Sequence, residues 1–191
     1  KQIIDDFDEY GDEISKKLIT RLANVINFYD LNKESPERAL NVLDEWMRAR
    51  FEETLALVTK SMNHFELDAA ARPILSLVED LSLWYIRRSR KSFSPKFTRT
   101  LLKELSKLLA PFAPFMAENI YQKVREKDDQ ESVHLEEWPS EVQSSNVKGQ
   151  IFLNEMGEVR RICSLGLEAR AAAGVKVRQP LALLKIQNSK S

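Results

Sequence analysis

The chain has 191 residues, 43% of them apolar and 30% charged, and its formal charges cancel. That is enough apolar material for one real core without metal or disulfide staples, and it marks a soluble globular chain. The longest apolar runs are too short to cross a membrane. No signal peptide is expected at the N-terminus. One cysteine, Cys163, excludes an internal disulfide and fits a reducing compartment. Within its helical pattern Cys163 is expected to fill a small space in the core rather than act as a nucleophile.

The cancelled charge is unevenly spread. Residues 1–15 hold six acids and one base, and residues 126–141 hold seven acids and one base. Residues 87–107 hold eight bases and one acid, and residues 158–190 hold seven bases and two acids. A polyanion responds to such local fields rather than to the sum.

Only five glycines are present, and apolar residues recur at helical spacing almost throughout. Ile14, Leu18, Leu22, Val25 and Tyr29 predict a first helix over residues 12–31. Ser35-Pro36 reads as an N-cap followed by proline at the first helical position. From there Leu40, Leu43, Met47, Phe51, Leu55, Val58 and Met62 carry one face to a stop at Asn63 and His64. A third helix is predicted from Asp68, with Ile74, Leu77, Val78, Leu81, Trp84 and Tyr85 as its stripe and a slight bend at Pro73. Ser94-Pro95 caps a fourth helix with Phe97, Leu101, Leu105 and Leu108 on one side. Pro111 and Pro114 break the pattern before a short helix over residues 114–125.

Residues 126–150 read as a polar, acidic surface excursion, with residues 132–135 as a short extended piece. A last helix is predicted over residues 151–173, stopped by Gly174. Residues 175–186 alternate like the start of a strand. The fold class is therefore all-α: an antiparallel bundle of four or five long helices with a short C-terminal extended appendage. The helical domain is assigned to residues 1–174 and the junction segment to residues 175–191.

The best physical signal for chemistry is cationic. Lys96, Arg99, Lys103 and Lys107 fall within an arc of about 80° on the fourth helix, at roughly 100° per residue. The apolar set lies nearly opposite. Arg87, Arg88, Arg90 and Lys91 end the preceding helix, close by across a tight connection. Lysines and arginines ridged along adjacent helices suit a nucleic-acid backbone. An ordinary solvated face, with basic residues favoured at a helix C-terminus, is the alternative. Trp84 is expected in the core, Glu118 beside an arginine, and the acidic runs on solvated surface. His64 and His134 have no ligand partners at metal spacing, so no metal site is expected. The chain shows no glycine-rich phosphate loop, no dinucleotide fingerprint and no nucleophile motif, so no catalytic residue is assigned.

Several words in order resemble the helical anticodon-binding region of isoleucyl-tRNA synthetases, a class I family. They are Val-Leu-Asp-Glu-Trp at 42–46, Asp-Leu-Ser-Leu-Trp-Tyr-Ile-Arg-Arg-Ser-Arg at 80–90 and Leu-Leu-Ala-Pro-Phe-Ala-Pro-Phe at 108–115. Glu-Ser-Val-His-Leu-Glu-Glu-Trp-Pro at 131–139 and Gly-Val-Lys-Val-Arg-Gln-Pro-Leu at 174–181 complete the set. The Ala-Pro-Phe element is shared with related synthetases, whose valyl and leucyl branches remain alternatives, as does a helical protein-interaction scaffold. The 80–90 and 174–181 words point to the isoleucine branch.

The resemblance implies a parent enzyme that joins isoleucine to its tRNA with ATP and magnesium. Both class I signatures, His-Ile-Gly-His and Lys-Met-Ser-Lys-Ser, are missing from this sequence, so the chain is expected to be one domain of a longer enzyme, without a cofactor of its own. The implied partners are isoleucine tRNA and the parent's catalytic body; a cytoplasmic monomer that touches no membrane is expected. Candidate tRNA-binding residues are Arg87, Arg88, Arg90, Lys91, Lys96, Arg99, Lys103 and Lys107, with Arg178 from the last word.

Overall fold

The computed structural model describes residues 2–140, 147–183 and 185, with side chains for those from residue 16 onward except residue 147. Helix α1 spans Gln2–Asn32, α2 Val42–Asn63 and α3 Leu67–Glu79. A π-helical segment, Asp80–Ile86, runs on from α3 into the single turn α4, Arg87–Ser89. Helix α5 is Pro95–Leu109, α6 Pro114–Val124 and α7 Val147–Ala172. No strand forms among the described residues.

The core is the one the helical spacing marks out. Leu22, Val25, Ile26 and Tyr29 of α1 meet Met47, Leu55 and Val58 of α2, Ile74, Leu77 and Val78 of α3, and Leu102, Leu105 and Leu108 of α5. Each of these is at most 4% exposed and so withdrawn from water. Of the expected stripes, Leu18, Leu43, Met62 and Phe97 are only partly buried against this core, and Leu40, which precedes α2, is 45% exposed. Short connections fold α2 back on α3 and α5 back on α6, which makes neighbours antiparallel. One end of the bundle gathers the end of α1, the start of α2, the α4–α5 corner and the end of α6. There Lys123 pairs with Asp30, and Arg38 reaches the carbonyl of Ser92.

Helix α1 begins ten residues before the expected start, at Gln2 rather than residue 12, and α7 four residues before, at Val147 rather than residue 151. Three further boundaries differ for local reasons. Helix α2 starts at Val42, not at Ser35-Pro36. Asn41 accepts from the amides of Leu43 and Asp44 while Asp44 accepts from the Asn41 amide, and this reciprocal cap outcompetes the Ser-Pro signal. Residues 36–41 form a non-helical strap instead. Helix α3 begins at Leu67 without a side-chain cap, and Asp68 pairs with Arg72 inside the first turn. Residues 132–135 are not extended: Val133–Leu135 is a 3-10 turn capped by the Ser132 hydroxyl. Ser94 and Pro95 do start α5, with the Ser94 hydroxyl accepting from the Phe97 amide.

The acidic segment after α6 is mostly exposed over residues 126–140, as expected of a surface excursion, but it is anchored to the bundle. Val133 and Pro139 are buried, and Tyr121 of α6 donates to Glu136 and to the carbonyl of Gln130. Glu118 pairs with no arginine among the described residues. It accepts from the Ser132 hydroxyl at 2.9 Å and from the Val133 amide at 3.0 Å, which ties this segment to α6. At the end of α7, Gly174 takes φ 65°, the left-handed conformation that closes a helix. Residues 175–183 continue as turns rather than a strand, with Arg170 donating to the carbonyls of Lys176 and Gln179 at 2.9 Å each. Residues 184 and 186–191, which complete the expected appendage, lie outside the described residues.

Candidate nucleic-acid interface

The cationic residues separate into two sets with different surroundings. The first stands on the corner between α4 and α5. Arg87, Arg88, Arg90, Lys91 and Lys96 are all exposed there. Arg87, Arg90, Lys91 and Lys96 have no ion-pair partner among the described residues. The backbone beneath them is firmly seated. Ser89 is buried and its hydroxyl donates to the Tyr85 carbonyl at 2.8 Å. Phe93 is buried edge-on against Phe28, with ring centroids 5.1 Å apart.

Arg88 lies over the ring of Trp84 at 3.8 Å, and Arg160 of α7 lies over the same ring at 4.6 Å. Trp84 packs against the core, as its stripe suggests, but only half-buried, and its ring is also a platform for two guanidiniums. Partial burial lowers the Arg88 pKa, and the neighbouring charges of Arg87 and Arg160 lower it further. Three cations crowded here gain by meeting an anion. Arg160 also pairs with Asp80, as does Arg50 at 2.8 Å, so one nearly buried carboxylate joins α2, the π segment and α7. Cys163 sits beside this cluster, exposed; it is not a core filler.

The second set, on α5, is occupied. Arg99 pairs with Glu126 at 2.8 Å, Lys103 with Asp129, and Lys107 with Glu104 at 2.9 Å and Glu136 at 3.6 Å. The four-residue spacing of the stripe therefore meets the acidic run that follows α6. The Glu126 amide and Lys103 hold the Asp129 carboxyl below its usual range, and Tyr121 does the same for Glu136. The Lys107 side chain is only 14% exposed. Arg178 stands apart on the turn after α7, exposed.

Asp44 organises the corner from below. It is fully buried and accepts from Arg38 at 2.6 and 3.1 Å, from the Tyr85 hydroxyl at 2.8 Å and from the Asn41 amide at 2.7 Å. Burial pushes the Tyr85 hydroxyl well above the ordinary tyrosine range, so it stays a donor. Periodicity carries no signal for Glu37, Arg38 or Arg160, because the contacts that tie them to the corner and the π segment lie 54 to 80 residues away. Among the described residues no cluster of histidine, cysteine and carboxylates suits a metal ion, and no helix is long and apolar enough to cross a membrane.

Residues 44–186 match the family model described as the anticodon-binding domain of tRNA ligase. An isoleucine–tRNA ligase of Chlamydia trachomatis serovar L2 is 32% identical over 91% of this chain and 18% of its own length. Namesakes from Clostridium novyi and Bacillus thuringiensis are 32% and 33% identical, over 91% and 90% of this chain. The chain spans 18 to 19% of the length of these relatives.

Proposed function

The chain belongs to the family of anticodon-binding domains of tRNA ligases, and from that premise we propose that it binds and orients the anticodon stem and loop of isoleucine tRNA for a longer isoleucine–tRNA ligase. The names of its relatives support the amino acid. In that enzyme a catalytic body, using ATP and magnesium, joins isoleucine to the tRNA; this domain contributes binding and no chemistry. The reading implies work as a cytoplasmic monomer unit, with residues 1–174 as the helical domain and residues 175–191 as the start of a junction.

One observation carries the assignment of the surface. Arg87, Arg88, Arg90, Lys91 and Lys96 are exposed on a corner anchored by buried Ser89 and Phe93. Such cations meet phosphate with little ordering cost and release counterions as they do. Phosphate contacts orient the RNA, while selection of the anticodon belongs to contacts with base edges. Arg99, Lys103 and Lys107 are spent on their acidic partners, and Arg178, exposed on the turn after α7, is a separate candidate contact.

The test is a salt titration of tRNA affinity for the wild type and for the Arg90→Gln/Lys91→Gln variant. Losing two contacts should flatten the log–log slope by about 1.4 to 1.8, at about 0.7 to 0.9 per contact. Preference among anticodons should stay as it was. An unchanged slope and affinity would remove the corner from the interface.

A further inference from the structure

The residues that seat the cationic corner do not belong to it. They stand on the strap, residues 36–41, where sequence pattern calls for the first turn of a helix. The Arg38 side chain uses its whole fork. Its Nε and Nη2 donate to the Ser92 carbonyl at 2.9 and 2.7 Å. Nη1 and Nη2 also donate to the two oxygens of buried Asp44, and Nη1 donates to the Ala39 carbonyl at 2.7 Å. Glu37 takes the other side. Its carboxylate accepts from the Ser94 hydroxyl at 2.6 Å and from the Lys96 amide at 2.9 Å.

Residues 90–94 lie between two helices and have no helical ladder of their own; the Ser92 amide donates to the Ser89 carbonyl at 2.8 Å. Strap bonds therefore reach Ser92 and Ser94, close after the exposed Arg90 and Lys91, and the backbone amide of the exposed Lys96 itself. We propose that Glu37 and Arg38 are positioning residues for RNA: they fix the corner so that its cations meet the phosphate backbone without first being ordered. The proposal rests on the tRNA-binding reading above and names a part of it that offers the RNA no cation of its own: Arg38 is turned onto Asp44 and Ser92, and Glu37, though exposed, is an anion.

The chemistry asks for these two residue types. Two parallel donors on one carbonyl and two on one carboxylate need a planar guanidinium, which an ammonium does not reproduce. Two acceptors facing two different donors need both oxygens of a carboxylate, since glutamine offers one acceptor and one donor. Loosening the corner leaves every RNA-contacting charge in place, so the number of phosphate contacts stays the same while their entropic cost rises.

The experiment compares wild type, Arg38→Lys, Glu37→Gln, Arg90→Gln/Lys91→Gln and the combined Arg38→Lys/Arg90→Gln/Lys91→Gln protein. tRNA affinity is measured against salt, well below every melting transition. Arg38→Lys and Glu37→Gln should each bind roughly three- to tenfold more weakly, equivalent to ordering one or two side chains on binding. Their salt slopes should match the wild type, whereas the corner variant's slope flattens. In the corner background the Arg38→Lys effect should shrink, because two of the five cations that the strap positions are gone. Wild-type affinity in both strap variants, with only their melting lowered, overturns the proposal and leaves a purely structural staple. A strap effect that adds fully to the corner variant overturns it as well. Should Arg38→Lys fail to fold, Glu37→Gln carries the comparison alone, since Glu37 is exposed and away from the core. If the corner variant itself binds like wild type, the tRNA-binding surface is wrong and the proposal falls with it; strap variants that fail beside a corner variant that behaves as expected refute the proposal alone.

Discussion

Reversing Arg99 and Lys103 to glutamate separates a bare phosphate-binding stripe from a clamped one. On a bare stripe the double variant changes stability by only about half a kcal/mol, as most surface substitutions do. The structure makes the change costlier. The Lys103 side chain is 23% exposed and its partner Asp129 is 15% exposed. Placing a carboxylate there opposes Asp129, which also holds the Glu126 amide. A half-buried pair turned to repulsion costs about 2 kcal/mol, between the values for exposed and fully buried pairs. Arg99 and Glu126 are 36% and 60% exposed, so solvent screens that pair and it adds only a few tenths of a kcal/mol.

At about 2 to 4 °C per kcal/mol for a domain of this size, Tm should fall by about 4 to 9 °C. High salt should shrink the deficit, since the repulsion is partly screened. Thermal melts followed by circular dichroism, at low and high salt, make the measurement. With tRNA, the salt slope should flatten less than it does for the corner variant. A double variant that melts with the wild type, yet loses tRNA affinity and two contacts' worth of slope, would refute the clamp and return the stripe to the RNA.

Helical spacing was readable wherever one helix face meets the core, because burial of a stripe is decided within a single element. That is why the stripes of α1, α2, α3 and α5 stand where Leu22, Leu55, Leu77 and Leu105 put them. The Ser94-Pro95 start was equally local, since the cap and the amides it serves are three residues apart. Ser35-Pro36 is the same dipeptide with the opposite outcome, and the difference lies across the chain. Arg38 is drawn to Ser92 and Glu37 to Ser94, and a helix begun at Pro36 would break both contacts. The α5 stripe failed in the same way. Its cations were visible, and so was the acidic run after α6, but only the α5–α6 fold-back brings Lys103 against Asp129. Trp84 fits the core by spacing alone; Arg160, 76 positions later, gives its ring a charged neighbour. What a sequence pattern omits here is pairing between elements, and the candidate interface is made of such pairings.

Two further outcomes follow from single features. Phe65 takes φ 59° in the turn between α2 and α3 and is 90% exposed, so it bears left-handed strain with little burial to offset it. Phe65→Gly should raise Tm, with a gain of up to about 1 kcal/mol after glycine's own entropic cost; a lower Tm would mean that the ring makes a contact in solution. The second outcome concerns acid. Asp129 is held below its ordinary 3.8 by the Glu126 amide and Lys103, and Glu136 below 4.5 by Tyr121. Burial alone would raise Glu118, but bonds from Gln122, Ser132 and the Val133 amide outweigh it and bring it below 4.5 too. All three carboxyls bind protons more weakly folded than unfolded. Their contribution is therefore complete above the unfolded values and is lost as pH falls through the depressed folded ones. Tm should be nearly flat from neutral pH down to about pH 5 and should then decline, with the segment after α6 loosening first. Glu136→Gln and Asp129→Asn should each lower Tm at neutral pH and make the acid decline shallower, because the charge whose protonation drives it has already been removed. An acid decline of undiminished steepness in both variants would place the titrating groups elsewhere and break the link between these carboxylates and the clamp on α5.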